Sequence, residues 1–283
     1  MRLRVYLLSL AALGLFILTA TGPTGRAETR PPARPPAAPF GVPAVQTGFR
    51  VFLPGIAYVQ PPACDPIPGQ QYEAIPIVGT PTTSPPAEQH PDINALAVRG
   101  YVPANAPKTL VDYGGHTDPA APQLYTLFLD NRVPQFSGVY QVYDWNWQTN
   151  TRGGLIATWP VTLLGMGTAR GEVLRLPWRN APDIYQGVYW ALVLYASTER
   201  ITFVYTRLDT VAQGYTIHVE GLCVEPGLLS LYQQQNAAGR WALPALKGQQ
   251  PFGRANGPEI KIAIRDTGAF MDPRSRKDWW QGG

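Results

Sequence analysis

From about Ala95 to Ile264 the chain is a succession of short apolar and aromatic runs separated by Gly, Pro, Asn or Asp. That spacing is the mark of many short strands. The runs are Thr109–Tyr113, Leu124–Leu129, Gly138–Trp147, Gly154–Leu164, Glu172–Trp178, Ile184–Ala196, Ile201–Thr206 and Tyr215–Val219. Each is rich in β-branched or aromatic residues. One segment breaks the pattern. Between Pro226 and Ala238, the residues Leu228, Leu229, Leu231 and Tyr232 recur at helical spacing. Pro226 suits a first helical turn and Gly239 a stop. The chain therefore predicts a mainly β fold, a single β-rich domain of short antiparallel strands with one inserted helix.

The N-terminal stretch has a different character. Arg2 and Arg4 precede the uncharged apolar run Val5–Ala20, which Thr21, Gly22 and Pro23 interrupt. Gly25 and Ala27 then place small residues where a signal peptidase reads, so residues 1–27 are expected to be a secretory signal. An uncleaved anchor is the alternative, and it is the only membrane attachment the sequence offers. The first cysteine is Cys64, so a lipoprotein anchor is not expected. Residues 28–47 form a Pro-rich linker, 48–60 a short strand, and 61–94 a Pro/Thr-rich linker clearest at Thr80–Pro86. The β-rich domain spans 95–273 and a tail 274–283.

Export changes the charge argument. The whole-chain charge of +4 falls to about +1 once Arg2, Arg4 and Arg26 leave with the signal. The remaining local basic group, Arg274, Arg276 and Lys277, is flanked by Asp272 and Asp278 and is expected to be a solvated tail. No nucleic-acid partner is expected, because recognition needs a clustered basic face. Cys64 and Cys223 are the two cysteines, which in an exported chain points to one disulfide, with two buried thiols as the alternative. Closing so long a loop stabilises by about 5 kcal/mol at most.

Candidate chemistry is sparse. The three histidines are His90, His116 and His218. His90 with Asp92 and His116 with Asp118 are loop pairs that lack the second spaced pair of a zinc site. His218 and Glu220 share a strand face and are expected to hydrogen-bond. There is no Gly-x-Ser-x-Gly nucleophile motif. Asp130, Asp144, Glu220 and Glu225 are carboxylates that could converge for glycoside hydrolysis. Along 143–147, Tyr143, Trp145 and Trp147 alternate with Asp144 and Asn146. That face is either a platform for a sugar ring or peptide or the core side of a half-buried strand. Trp159, Trp178 and Trp190 lie in apolar runs and are expected in the core. Trp279 and Trp280 follow the last run, where a tail seldom carries two Trp unless they dock.

The last third carries a resemblance. Leu246-Lys-Gly-Gln-Gln-Pro-Phe-Gly-Arg254, Gly257-Pro-Glu-Ile-Lys-Ile-Ala-Ile-Arg-Asp-Thr-Gly268 and Met271-Asp-Pro273 resemble the C-terminal part of the lysostaphin-like zinc endopeptidases, which cut peptidoglycan cross-links. That family has a Lys-Gly-Gln turn, then Gly-Pro-His-Leu-His-Phe-Glu-Ile-Arg, a Gly and Asp-Pro. Gly214-Tyr-Thr216 looks like the family's Gly-Tyr strand, and Tyr140-Gln-Val-Tyr-Asp144 stands where its His-x-x-x-Asp motif stands. The resemblance covers about residues 138 to 273 and implies Tyr140, Asp144 and Lys261 at the metal-ligand positions and Glu259 at a catalytic histidine. Gly221 stands where another family histidine follows the Gly-Tyr strand. Only Asp144 keeps the family's residue, so no metal, cofactor or catalytic residue is expected. The expectation is an exported pseudoenzyme that binds or scaffolds at the cell envelope, with peptidoglycan or another envelope glycan as partner and Tyr143, Trp145 and Trp147 as ligand-binding candidates. An active endopeptidase or glycan hydrolase with an unrecognised site is one alternative, and an adhesion or structural module the other.

Overall fold

The apolar alternation folds into antiparallel strands, some paired with their neighbours in sequence and others with strands far along the chain. The structure is a computed structural model and describes residues 64–283. The signal segment, the first linker and the expected strand at 48–60 lie outside the described residues.

The strands are β1 (Glu73–Pro76), β2 (Tyr101–Pro103), β3 (Phe136–Asn146), β4 (Thr151–Leu155), β5 (Leu163–Gly167), β6 (Val173–Arg175) and β7 (Tyr189–Ala196). They continue as β8 (Arg200–Val204), β9 (Tyr215–Glu220), β10 (Leu222–Val224), β11 (Ala242–Lys247), β12 (Pro251–Ala255), β13 (Glu259–Asp266) and β14 (Ala269–Phe270). Helices are α1 (Ala95–Arg99), α2 (Pro226–Ala237) and α3 (Arg276–Trp279). The main sheet runs β1-β11-β7-β8-β9-β13-β5-β3-β2, with β4 on β3 and β14 on β13, and β10-β12-β6 form a second sheet. The domain is mainly β, its strands antiparallel and its helical content modest.

Alternation sorts the side chains of the central strands onto two faces. Ile260, Ile262 and Ile264 of β13 and Tyr215, Ile217 and Val219 of β9 enter the main core. Glu259, Lys261, Ala263 and Arg265 of β13, with Thr216, His218 and Glu220 of β9, face the other way. Helix α1 covers part of that second face. There Ala95 and Leu96 pack with Val142, Leu163, Ala263 and Phe270 in a smaller apolar cluster.

The expected helix is present. Glu225 caps α2, its carboxylate accepting from the Leu228 amide at 2.9 Å, and Leu228 and Tyr232 are buried. The single disulfide joins Cys64 to Cys223 across 159 residues.

Several expectations need correction. From Cys64 onward the segment 61–94 is part of the domain. β1 pairs with β11, Ile75 and Ile77 are buried, and the Thr82 amide donates to Asp209 at 2.8 Å. Prolines are tolerated there because β1 is an edge strand, where no second ladder needs their missing N–H. Leu124–Leu127 is a 3₁₀ turn, and of Thr109–Tyr113 only Val111 makes an isolated bridge, to Ser275. The run Gly154–Leu164 divides between β4 and β5, with Pro160 in the gap disfavouring a continuous ladder. The tail 274–283 is not a solvated tail. Arg274 is buried in a forked pair with Asp272, at 2.7 Å and 3.0 Å. Trp279 and Trp280 are buried, their indole N–H groups donating to the carbonyls of Asp272 and Pro273.

A second buried pair holds the far side of the sheet. Arg240, which follows α2, forks onto Asp209 through Nε at 2.9 Å and Nη2 at 2.6 Å. Their side chains are 2% and 0% exposed. Replacing one partner leaves a buried charge without its counter-ion. Asp209→Asn should therefore lower the unfolding free energy by about 3–5 kcal/mol, measured by denaturant unfolding. A loss below about 1 kcal/mol, as for an exposed pair, would contradict this.

Candidate functional site

The second face of the sheet carries two polar groups, one on either side of the small apolar cluster under α1. The first gathers three of the four positions singled out by resemblance. Glu259 and Lys261 lie two residues apart on β13, and the ladder sets Lys261 opposite Glu220 of β9 and Gly165 of β5. The Lys261 ammonium sits 3.3 Å from Glu259 and 3.6 Å from Glu220. The rings of Tyr101 and Tyr140 flank it, their centroids 5.6 Å and 5.5 Å away. Tyr101 donates to Glu220, Ser137 donates to Glu259, and Tyr140 donates to Glu259 at 3.4 Å. Gly165 leaves the space these groups use, since a Cβ there would lie 2.6 Å from the Glu259 carboxylate.

This group holds its charge. Burial opposes the Lys261 ammonium, but the Tyr101 hydroxyl and Glu220 outweigh it, so its pKa lies above the ordinary value. Burial, and then the hydrogen bond to Glu220, raise the Tyr101 pKa. A zinc ion needs three or four N, S or O⁻ donors. Here an ammonium and two phenols stand among two carboxylates, so these residues do not fit one. Among the described residues, no three or more His, Cys, Asp or Glu are placed to share a metal ion.

Asp144 does not join this group. It lies four residues beyond Tyr140 on β3, about 13 Å along a strand, and pairs with Arg99 at 3.2 Å. The positions that the resemblance implies, Tyr140, Asp144, Glu259 and Lys261, are therefore not one cluster. The middle of β3 therefore serves one group and its C-terminal end the other.

Asp144 belongs to the second group, at the wall of an open cleft of about 490 Å³. Arg99, the last residue of α1, and Arg265 of β13 share the Asp92 carboxylate at 2.5 Å and 2.8 Å. Arg99 Nε donates to the Pro91 carbonyl and Arg265 Nε to that of Gly268, each at 2.7 Å. Both guanidiniums lie over the Phe270 ring, at 5.6 Å and 4.7 Å. Burial pulls the Arg265 pKa down to about 10. Two arginines hold the Asp92 carboxyl below its ordinary value against its own burial. Trp147, Trp159, Ile156 and Met271 complete the cleft.

No family model, curated protein or solved structure matches this chain.

The aromatic candidates separate. A bulge between Tyr143 and Trp145 interrupts the alternation of β3. Tyr143 packs under the Arg152 guanidinium at 5.0 Å. Trp145 is half-buried, and Trp147, 55% exposed, lines the cleft together with Asp144. Tyr143, Trp145 and Trp147 thus do not form one platform. Trp159, expected in the core, lines the cleft, and Trp178 is exposed. The expected carboxylate convergence is absent too. Asp130 pairs with Arg132, Glu225 caps α2, and Glu220 and Asp144 belong to different groups.

The histidines are accounted for locally. His90 Nδ1 accepts from the Asp92 and Ile93 amides and shapes that turn. His116 offers its carbonyl to Lys277. His218 does not bond Glu220: its Nδ1 lies 2.9 Å from the Thr202 hydroxyl and its ring stacks on Phe270. Arg99, Asp92, Arg265 and Phe270 were missed from the sequence. The one available signal was a charge alternating with Ile260, Ile262 and Ile264 along β13.

Burial, and then the nearby Arg265 charge, push the His218 pKa well below its ordinary 6.5. As pH falls below 6.5 the unfolded chain takes up a proton that folded His218 refuses. Stability is therefore fully present above that value and declines below it, by up to about 1.4 kcal/mol per pH unit, until the folded pKa is reached. His90, its pKa also lowered by burial, adds to the same decline. His218→Asn should flatten the pH dependence of unfolding between pH 6.5 and pH 5 relative to the parent. An unchanged slope would show that His218 titrates freely.

Proposed function

We propose that this protein is an exported, non-catalytic domain that binds or scaffolds at the cell envelope, a degenerate relative of the lysostaphin-like endopeptidases. Peptidoglycan or another envelope glycan is its partner. The observation that carries the proposal is the pairing of two features on one sheet face. An ion-paired lysine takes the place where the resemblance puts a metal ligand. Across the small apolar cluster on the same face lies an open cleft with indoles in its walls and guanidiniums in its floor. Indole faces stack on the apolar side of a sugar ring, and directed polar groups fix its orientation. The signal-like N-terminus and the disulfide support export, since disulfides persist in oxidising compartments.

Two measurements test the proposal. The mature chain should pellet with purified peptidoglycan, and Trp147→Ala with Trp159→Ala should weaken that binding about tenfold, or 1.4 kcal/mol. Retention unaffected by both changes would remove the cleft from the function, and no pelleting would remove the envelope glycan. The kinship is tested separately. Tyr140→His with Lys261→His, beside Glu220 and Glu259, should create a zinc site detectable by elemental analysis of the dialysed protein. A folded double variant that acquires no zinc would count against descent from a metal centre.

A further inference from the structure

We infer that the cleft recognises an acidic sugar, whose carboxylate takes the place of Asp144 on the Arg99 guanidinium while its ring rests on the indoles of Trp147 and Trp159. The inference rests on the cleft being the binding surface proposed above, and it names the chemical class of the ligand.

The charge count on the cleft floor is unusual. Arg99 and Arg265 are 3% and 4% exposed, and one inner carboxylate, Asp92, serves both. Two guanidiniums against one carboxylate leave one positive charge on a desolvated floor, a costly arrangement without a further counter-ion. That counter-ion comes from the solvent side. Asp144 is 67% exposed and reaches Arg99 at 3.2 Å. Its carboxylate also accepts from the Trp145 amide at 2.8 Å, an alternative partner if Arg99 is taken. Exchanging Asp144 for another carboxylate keeps the buried Arg99 charge compensated, and the exposed Asp144 returns to water.

The site is built before any ligand arrives. Carbonyls of Pro91 and Gly268 and the Phe270 ring fix both guanidinium planes. A planar fork of fixed orientation matches a carboxylate. Asp144 shows that a carboxylate fits there. One guanidinium charge, freed when Asp144 is displaced, also selects a monoanion, because the second charge of a phosphate dianion would meet Asp92 and Asp144. The walls beside the Arg99 guanidinium include the indoles of Trp147 and Trp159, whose flat faces suit a ring-shaped ligand.

The test uses the intact mature chain and matched pairs of soluble probes, titrated by calorimetry. The pairs are glucuronic acid against glucose, and N-acetylmuramic acid against N-acetylglucosamine. At least one acid should bind about tenfold or more tightly than its neutral partner, a difference of 1.4 kcal/mol. Asp144→Asn should raise the affinity for that acid several-fold and widen its ratio to the neutral sugar, whereas Arg99→Gln should abolish the preference. Should Arg99→Gln fail to fold, the surface change at Asp144 and the matched pairs still decide. Equal affinity within both pairs, or weaker acid binding by Asp144→Asn, overturns the inference. So does acetyl-D-alanyl-D-alanine binding more tightly than either sugar acid, which would make the ligand a peptide carboxylate. Pelleting with peptidoglycan while both pairs bind equally removes the acidic-sugar site and leaves the envelope function. Acid preference without pelleting leaves the site and removes that function.

Discussion

The ladder between β9 and β13 sets Ile262 against Val219 on one face and Lys261 against Glu220 on the other, and the rest of the molecule is arranged around that choice. Because side chains alternate strictly along a strand, a slip of one residue would carry Lys261 and Arg265 into the apolar core and expose three isoleucines. Register is therefore strongly specified. Once it is set, β5 and β8 add their own apolar residues to the core side, and charged and aromatic groups accumulate on the opposite face. Helix α1 then covers only the middle of that face, which leaves polar groups at both ends of the strands.

Buried arginines mark the places where this sheet meets its surroundings, and they fall into two kinds. Arg240 with Asp209 and Arg274 with Asp272 are forks closed on both sides, each acid and base nearly inaccessible. They lock the turn after α2 and the C-terminal segment onto the domain. Arg99 and Arg265 differ, because their shared acid lies behind them while their outer counter-ion stands in water. A closed fork has nothing left to offer a ligand. A fork whose outer partner is exchangeable does.

The lysine group at the other end of the face is closed in a different sense. Lys261 is already surrounded by the carboxylates of Glu220 and Glu259 and by two phenols, so its donors and acceptors are mutually engaged. Such a network is stable when every member is satisfied. Its physical consequence is stiffness between β3, β9 and β13, the three strands that also carry Asp144, His218 and Arg265. Precision in the cleft thus depends on a group that does not line it.

What the sequence determined by itself is what neighbouring residues decide among themselves. Short β-branched and aromatic runs between turn residues determined the mainly β class. Four apolar residues at helical spacing behind a proline determined α2, and two cysteines allowed a single intramolecular pairing, which forms. Tertiary structure decided everything that required two distant segments to meet. It turned a Pro-rich stretch into the edge strand β1, because β11 offered an unpaired ladder. It drew the charged tail inward, because Asp272 and buried space for two indoles were waiting. It split the four resemblance positions between two groups, since Asp144 lies four residues along β3 from Tyr140 and pairs with Arg99 instead. Local pattern encodes which residues lie on the same face, but only the register between strands says which of them touch. Arg265 reaches Asp92, the partner it shares with Arg99, across 173 positions, and no local periodicity can carry that information.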